Sequence, residues 1–427
     1  MRGEWDDRAS RPGLGPVVER ALALHRAKWG VPARWVSAAP GRVNLIGEHV
    51  DYAGGPVLPM AIDRWCVAAC GPSREGGEVL RVVSEATGER AEVPLSRPLD
   101  AGEVRRTLPA WAWYVAGVAE CLRRGAAHAG RAVSAGDAGV EMTVVSTVPL
   151  GAGLSSSAAL EVSVGGALAR AWGVGIEVSE RGLARVGRRA EHEFAGVPCG
   201  FMDQVVSACA RRGCALLIGG DGEPERAVPM PEDLAVVLVD SGVKHALPDG
   251  AYAARVRACE EAARVLGVAS LAGASATLVR ERAGDLEPEA RRAAEHVTGE
   301  VGRVRAFAEV LEGLGGAAGE AGGAREGAMR RLGALARESH ESLRDLCGVS
   351  CPEVEGVVAA CAQPGVWGCR LTGAGFGGSV MALVDRAWLD RAMGWIAEAA
   401  ARRVPTSHPP VVVTPVAGWG AWDPSGC

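Results

Sequence analysis

Hydrophobic and polar positions along the chain follow two periods, which together predict a mixture of helices and strands. Apolar residues recur at helical spacing over 1–30, 109–126, 155–172, 177–194, 250–266 and 287–346. Short apolar or alternating runs predict strands at the start of 35–52 and over 78–94, 140–148, 234–240, 366–372 and 379–384. A glycine-rich stretch at 315–323 is expected to be a loop between two helices. With 427 residues, the chain is predicted to form an α+β fold of two domains, residues 1–230 and 231–427.

A glycine-serine segment follows the strand predicted at 140–148 and precedes the helix predicted at 155–172. It reads Gly151-Ala152-Gly153-Leu154-Ser155-Ser156-Ser157. Glycines let the backbone approach an anion closely, serine hydroxyls can cap a helix or contact phosphate, and a helix N-terminus favours negative charge. An ordinary capped connection between a strand and a helix explains the segment equally well, so the rest of the chain must decide.

A second glycine-rich segment, at 373–378, matches the G-x-G-x-x-G pattern of dinucleotide-binding folds. That fingerprint requires a helix to follow, whereas residues 379–384 predict a strand. We therefore expect these glycines to allow a close approach to another loop or to a ligand. The pattern G-x-x-x-x-G-K-[ST] is absent, because neither lysine of the chain, Lys28 or Lys244, stands in such a context.

Ionisable side chains cluster in three other segments. Within 41–52, the neighbours Glu48, His49 and Asp51 form a dense set of donors and acceptors suited to sugar hydroxyls, although a solvated turn is the alternative. Asp203 lies among apolar residues of 199–204, where an acid requires a partner or a function. Glu191 comes near the end of the helix predicted at 177–194 and is expected to face inward.

Composition and motifs argue against several classes of protein. The net charge of −5 argues against general nucleic-acid binding, and no apolar run approaches the roughly 20 residues that span a bilayer. The acidic N-terminus does not resemble a signal peptide, so we expect a cytoplasmic protein. His192 does not begin an H-E-x-x-H motif, and 151–155 does not fit the hydrolase pattern G-x-S-x-G. The 12 cysteines include no C-x-x-C pair and are expected to be reduced thiols.

Five segments, in order between about Trp35 and Val384, together resemble the galactokinases of the GHMP kinase superfamily. Segment 41–51 is similar to the galactokinase signature, 149–159 to the superfamily's ATP loop, and 372–378 to its third motif. Segments 199–204 and 241–260 also resemble galactokinases. The resemblance implies a two-domain GHMP kinase fold, with an N-terminal ribosomal-protein-S5-domain-2-like domain and a C-terminal ferredoxin-like α+β domain. The active site would lie in the cleft between them.

The resemblance further implies ATP-dependent phosphorylation of D-galactose at its C1 hydroxyl, which gives α-D-galactose 1-phosphate and ADP. Asp203 would accept or orient the hydroxyl proton, and Arg42 would lie beside it and stabilise charge on the transferring phosphoryl group. Ser157 and Glu191 would bind Mg²⁺, a cation that prefers oxygen ligands. The ATP phosphates would contact Gly151, Ala152, Gly153, Leu154, Ser155, Ser156 and Ser157.

The remaining implied contacts concern the sugar and the nucleoside. Sugar hydroxyls would contact Glu48, His49, Asp51, Gly200 and Tyr252. The base and ribose would contact Ser84, Trp111 and Tyr114. The expected partners are D-galactose and ATP with Mg²⁺, without nucleic acid or membrane; we expect a monomer, although the sequence does not determine the oligomeric state.

The chain departs from the galactokinase pattern at three places. Val50 stands where galactokinases usually have threonine, which leaves the choice of sugar open; Trp113 replaces a common asparagine, and 315–323 resembles an insertion. The alternatives are therefore a kinase for N-acetylgalactosamine, arabinose or galacturonate, or a non-catalytic sensor of galactose and ATP. A mevalonate- or homoserine-type kinase is disfavoured, because Glu48, His49 and Asp51 have no obvious task there.

Overall fold

The computed structural model describes residues 11–128, 139–174, 179–244, 250–315 and 323–422. Its α-helices are α1 (Leu14–Trp29), α2 (Ala101–Thr107), α3 (Ala110–His128), α4 (Ser156–Ala171), α5 (Glu180–Ala190), α6 (Met202–Cys209), α7 (Ala251–Leu266), α8 (Ala276–Glu281), α9 (Pro288–Gly315), α10 (Gly323–Ser342), α11 (Pro352–Ala360) and α12 (Leu389–Arg403). Its strands are β1 (Trp35–Asn44), β2 (Pro59–Pro72), β3 (Val79–Ser84), β4 (Arg90–Pro94), β5 (Val140–Ser146), β6 (Cys214–Ile218), β7 (Pro224–Pro229), β8 (Leu234–Lys244), β9 (Val366–Thr372), β10 (Gly377–Asp385), β11 (Val411–Val413) and β12 (Gly420–Trp422). Single π-helical turns follow α5 at Glu191–Ala195 and α10 at Leu343–Cys347.

Two larger sheets organise the chain. A six-stranded sheet has the order β12-β1-β2-β5-β3-β4, and a four-stranded sheet has the order β11-β8-β10-β9. Neighbouring strands are antiparallel except β3 and β5, which are parallel. The boundary that we propose near residue 230 falls between β7 and β8, but β12 returns from the C-terminal end and pairs with β1, where Val36 lies opposite Trp422.

The six-stranded sheet is buried on both faces, as β2 shows. Cys66 and Ala68 belong to one hydrophobic cluster and Val67 and Ala69 to another, on the opposite face. A strand covered on both faces reads as a continuous apolar run and lacks the alternation of a half-exposed strand. The four-stranded sheet packs with α11 and α12 around a third cluster.

Most of the predicted elements are present, with shifted ends. The helix predicted over 177–194 is divided into α5 and the π turn at Glu191–Ala195, a feature frequent at functional sites. The helix α6 was not predicted, and it carries Asp203 in its first turn. The glycine-rich loop predicted at 315–323 lies, apart from its two ends, outside the described residues.

Neither a disulfide nor a membrane helix is found in the part of the chain that the structure describes. The cysteines in those residues carry free thiols. No helix among the described residues is long and apolar enough to cross a membrane.

Candidate active site

Three segments meet near the end of β1. They are the part of β1 around Gly41, the glycine-serine segment after β5, and the glycine-rich turn between β9 and β10. The amide of Arg42 donates to the carbonyl of Leu154 at 3.1 Å. Gly41 has no room for a side chain, because a Cβ there would lie 2.8 Å from the same carbonyl oxygen. The first two of these segments are therefore packed backbone against backbone.

The glycine-rich turn at 373–378 touches the glycine-serine segment directly. A Cβ on Gly373, whose φ is 87°, would lie 2.9 Å from the carbonyl oxygen of Gly153. The hydroxyl of Ser379 donates to the carbonyl of Ala152 at 2.8 Å. The turn leads into β10, which is a strand, so both the close approach and the absence of a dinucleotide fingerprint are confirmed.

Ser155 comes directly before α4 and has a left-handed backbone with φ of 57°, which is uncommon for a residue with a side chain. Its hydroxyl does not cap the helix. It donates instead to Oδ2 of Asp203 at 2.6 Å, so the expectation of a serine cap is wrong for Ser155. The first backbone N–H groups of α4 thus receive no side-chain acceptor from Ser155, and such groups favour an anion.

Asp203 is held by donors from two other elements. The guanidinium of Arg42 binds it in a bidentate manner, with Nε at 2.8 Å from Oδ1 and Nη2 at 3.0 Å from Oδ2. The same guanidinium donates through Nη1 to the carbonyl of Gly153 at 2.5 Å. The side chain of Arg42 is 5% exposed and that of Asp203 is 26% exposed, so the acid remains open to a ligand while its partner is buried.

A cluster of carboxyl groups lies next to Asp203. Glu191 is buried, and burial together with the charge of Asp203 raises its pKa to about 7. The amide of Gln204 donates to Glu191 at 2.6 Å and to Glu161 at 2.9 Å. Burial, with the charge of Glu191, also raises the pKa of Glu161. Sequence reasoning assigned no role to Glu161, whose position on α4 becomes informative only once α5 packs against that helix.

Ser157 and Glu191, the residues expected to bind Mg²⁺, lie in contact. The side chain of Ser157 forms a hydrogen bond with Glu191, which acts to lower the pKa of that acid against the larger effect of burial. Their oxygens are hard donors, and a divalent cation would offset the repulsion between Glu191 and Asp203. The described residues contain no group of three or more His, Cys, Asp or Glu side chains arranged to hold a metal. Two oxygen donors from the protein suit Mg²⁺, a cation that takes most of its ligands from water and phosphate.

His49 links the sugar-signature segment to the turn between β9 and β10. Its Nε2 lies 3.0 Å from the carbonyl oxygen of Ala374, and its Nδ1 lies 2.9 Å from the hydroxyl of Tyr52. Burial lowers the pKa of His49 to about 4, so the ring is neutral. Because a carbonyl only accepts, Nε2 carries the proton and Nδ1 accepts from Tyr52.

Glu48 is buried, and its carboxylate faces the C-terminal half of the chain. It forms an ion pair with Arg370 and accepts from the amide of Gly373 at 3.0 Å. These contacts use both of its oxygens within the protein. Its predicted contact with a sugar hydroxyl stays a prediction.

Asp51, Gly200 and Tyr252, three residues expected to contact the sugar, lie together. A Cβ on Gly200 would overlap Oδ2 of Asp51, so only glycine fits there. Burial and the charge of Asp203 raise the pKa of Asp51 to about 6. The ring of Tyr252 lies 5.6 Å from the ring of His49, and burial with the charge of Asp51 raises the pKa of Tyr252.

Val50 lies inside the protein, against the turn at Gly55. It is 0% exposed, and a Cβ on Gly55 would lie 2.8 Å from the Cβ of Val50. The side chain belongs to a hydrophobic cluster with Ala53 and Val57. The expectation that this departure from the galactokinase pattern affects the choice of sugar has no support in this geometry.

The three residues expected to contact the base and ribose fall into two places. Ser84, at the end of β3, and Trp111, on α3, both contact Glu89 in the turn between β3 and β4. The amide of Ser84 donates to the carbonyl of Glu89 at 3.0 Å, and Nε1 of Trp111 donates to the Glu89 carboxylate at 2.8 Å. Tyr114 lies instead near the carboxyl cluster. Burial and the charge of Glu191 there raise the pKa of Tyr114. All three roles stay predictions.

Comparison with known families gives three matches. The galactokinase galactose-binding signature matches residues 23–72. The N-terminal domain of GHMP kinases matches residues 114–211, and the C-terminal domain matches residues 321–393. The matched ranges include the loops that meet at Asp203.

Individual proteins are similar over almost the whole chain. A galactokinase of Bos taurus is 39% identical over 91% of this chain and 94% of its own length, and one of Homo sapiens is 37% identical over 91% and 93%. The crystal structure of Lactococcus lactis galactokinase complexed with galactose shares the fold, with a TM-score of 0.81, 24% identity and coverage of 95% of this chain and 99% of that one. A mevalonate kinase from L. major is less similar, with a TM-score of 0.58, 18% identity and coverage of 89% and 95%. The chain has the two-domain α+β fold of the GHMP kinases and belongs to the galactokinase family.

Proposed function

We propose that this chain transfers the γ-phosphoryl group of ATP to the C1 hydroxyl of D-galactose and releases α-D-galactose 1-phosphate and ADP. The observation that carries the proposal is the position of Asp203. It lies between the glycine-serine segment, which would hold the ATP phosphates, and Asp51 with Gly200 on the side of the sugar signature. A hydroxyl bound beside Asp203 would therefore face the end of a phosphate chain held at the N-terminus of α4.

Asp203 would orient the attacking hydroxyl and receive its proton. Phosphoryl transfer passes through a loose transition state, so alignment and charge stabilisation contribute more than a strong base. The three donors from Arg42 and Ser155 hold the carboxylate in one orientation. Arg42 also places positive charge beside the glycine-serine segment, where charge on the transferring group would develop.

We further propose that Ser157 and Glu191 contribute two oxygens to the coordination of Mg²⁺. The support is their mutual contact and the excess of carboxylate around them. The cation, when bound, would neutralise charge on the phosphate oxygens of ATP. Glu161 and Gln204 would keep Glu191 oriented, since the amide of Gln204 bridges the two acids.

The test is a coupled assay of ADP release over galactose, N-acetylgalactosamine, arabinose and galacturonate, with the product of the best sugar identified by ³¹P and ¹³C NMR. We expect galactose to be used fastest and phosphorylated at C1. Asp203→Asn, which preserves shape but removes the charge, should lose at least about 100-fold in kcat. Full turnover by that variant would refute the mechanism, and faster use of another sugar would refute the substrate but leave the kinase activity in place.

Cytoplasmic location and a monomeric state complete the proposal. Neither follows from the fold. Light scattering of the purified chain, with a result above the mass of a single chain, would contradict the monomer.

A further inference from the structure

A buried polar network joins the C-terminal half of the chain to the sugar-signature segment. Its central members are His296 and Glu300 on α9 and Arg370 on β9, which we call the signature bracket. Their exposed fractions are 1%, 0% and 0%, and none of them belongs to the set of residues expected to contact a substrate. Together they bind the backbone or side chains of residues 44–48.

His296 binds the backbone of Glu48. Its Nε2 lies 3.0 Å from the carbonyl oxygen of Glu48, and its Nδ1 lies 2.8 Å from the hydroxyl of Ser342 on α10. Burial lowers the pKa of His296, so the ring is neutral and Nε2 carries the proton that the carbonyl accepts. The hydroxyl of Ser342 then donates to Nδ1 and fixes the orientation of the ring.

Glu300 binds the backbone of Gly47. Its Oε1 accepts from the amide of Gly47 at 3.0 Å and from the hydroxyl of Ser339 at 2.5 Å, and its Oε2 accepts from Nε of Arg303 at 2.7 Å. Burial alone would raise the pKa of Glu300, but the charges of Arg303 and Arg370 and the hydrogen bond from Ser339 lower it. Glu300 is therefore an ionised acid at full burial, held by donors on several elements.

Arg370 on β9 is the third member of the bracket. It forms a buried ion pair with Glu48 and donates to the carbonyl of Asn44 at 3.3 Å. A buried ion pair costs desolvation and is a weak source of stability. Our hypothesis is that this pair instead fixes the geometry of the two groups it joins.

The chain is conformationally strained directly after the segment that the bracket holds. Gly47, with φ of 104°, adopts its conformation freely because it is glycine, whereas His49 has φ of 58°, a left-handed conformation that a residue with a side chain seldom adopts. Strain of this kind persists only where the surrounding structure enforces it, and it concentrates at ligand-binding sites. Asp51 follows two residues after His49, so we expect a shift of the held backbone to move Asp51 as well.

We propose that His296, Glu300 and Arg370 are positioning residues for the sugar: without touching it, they hold the backbone of 44–48 so that His49 and Asp51 meet its hydroxyls. This inference rests on the proposed function. It adds α9 to the elements that support the sugar site, although α9 lies more than 240 residues along the chain from the segment that His296 holds. It places the determinants of sugar affinity in both halves of the chain. The hydrogen bonds of the bracket described above go to residues 44–48 and to neighbouring helices rather than to the glycine-serine segment, so we expect ATP binding to depend on the bracket less than sugar binding does.

The test is His296→Phe, which keeps an aromatic ring but removes the donor to Glu48. We expect the KM for galactose to rise about tenfold, which is about 1.4 kcal/mol, while the KM for ATP changes less than about twofold. His296→Gln, whose amide can still donate, should recover part of the affinity. His25→Phe is the matched control, because His25 is also 0% exposed and lies on α1; it should change Tm without changing the KM for galactose.

Ser342→Ala gives a second, milder variant in case His296→Phe does not fold. It leaves the histidine in place but frees its ring, so we expect a rise of about threefold in the Kd for galactose, measured by calorimetry without ATP. Equal effects on the KM values for galactose and ATP, or an unchanged Kd in Ser342→Ala, would overturn the inference. Wild-type protein that binds galactose but releases no ADP would refute the proposed function, and the calorimetric comparison would still decide the inference.

Discussion

Replacing Asp51 by asparagine should stabilise the fold while it removes sugar binding. Burial and the neighbouring charge of Asp203 raise the pKa of Asp51 from 3.8 to about 6. The folded-state pKa lies above the unfolded one, so the ionised carboxylate destabilises the folded state. This decrease in the free energy of unfolding is complete above about pH 6 and disappears as the pH falls below about 4.

The size of the effect follows from the change in pKa. The rise from 3.8 to about 6 corresponds to at most about 3 kcal/mol of free energy of unfolding. Asp51 is only partly buried, and its Oδ1 accepts from the amide of Tyr52 at 2.9 Å, a bond that asparagine can retain. Solvent screening reduces the gain, so we expect about 1–2 kcal/mol for Asp51→Asn at pH 8.

The assay is thermal unfolding at two pH values, combined with calorimetric titration of galactose. Tm of Asp51→Asn should exceed that of the wild type by a few degrees at pH 8 and by little at pH 4. Galactose affinity should fall at least about 100-fold, because a charged acceptor is lost. Asp203→Asn is the opposite control: it leaves Arg42 buried and unpaired and should lower Tm. A lower Tm of Asp51→Asn at pH 8, or the same gain at both pH values, would refute the reasoning.

Three further outcomes test the rest of the site. Gly200→Ala should abolish galactose binding and lower Tm, because the added methyl group overlaps the Asp51 carboxylate; calorimetry that finds wild-type affinity would contradict this packing. Ser155→Ala should lower kcat about tenfold without a large change in the KM for galactose, since Asp203 loses one of its donors; steady-state kinetics that show no change would remove Ser155 from the mechanism. The KM for galactose should rise as the pH falls below about 6, where Asp51 takes up a proton, and a flat profile between about pH 5 and 8 would show that its ionisation is not needed.

Local pattern predicted the elements and segments whose signal lies within a few residues. The helix at 155–172 and the strand at 234–240 follow directly from periodicity, and the glycines of 373–378 predicted a close approach that Gly153 confirms. The helix α6 is only eight residues long and follows a proline and a glycine, so its pattern was too short to recognise. Asp203 was nevertheless identified as important, because it is an acid among the apolar residues of 199–204.

Long-range contacts were beyond the reach of the sequence. The motif that contains Glu48 was recognised, but its pairing with Arg370, 322 positions away, depends on how β9 approaches β1. His296 and Glu300 look like ordinary polar positions on an amphipathic helix until α9 is packed against the signature segment. For Val50 the effect on the choice of sugar stays a prediction: its place in the motif suggests specificity, and the structure shows its side chain packed in a hydrophobic cluster.

The two sides of the site are held by different physical means, and this predicts different responses to change. On the phosphate side, Gly41 and Gly373 bring backbones so close that an added side chain must displace a neighbouring segment. On the sugar side, Glu48 and the signature bracket fix a strained segment through buried charges and hydrogen bonds. Close packing depends little on ionic conditions, whereas buried charges depend on each partner remaining paired. We therefore expect the sugar side to lose affinity when one partner of a buried charge or hydrogen bond is removed, and the phosphate side to lose affinity when a side chain is added to one of its close-packed glycines.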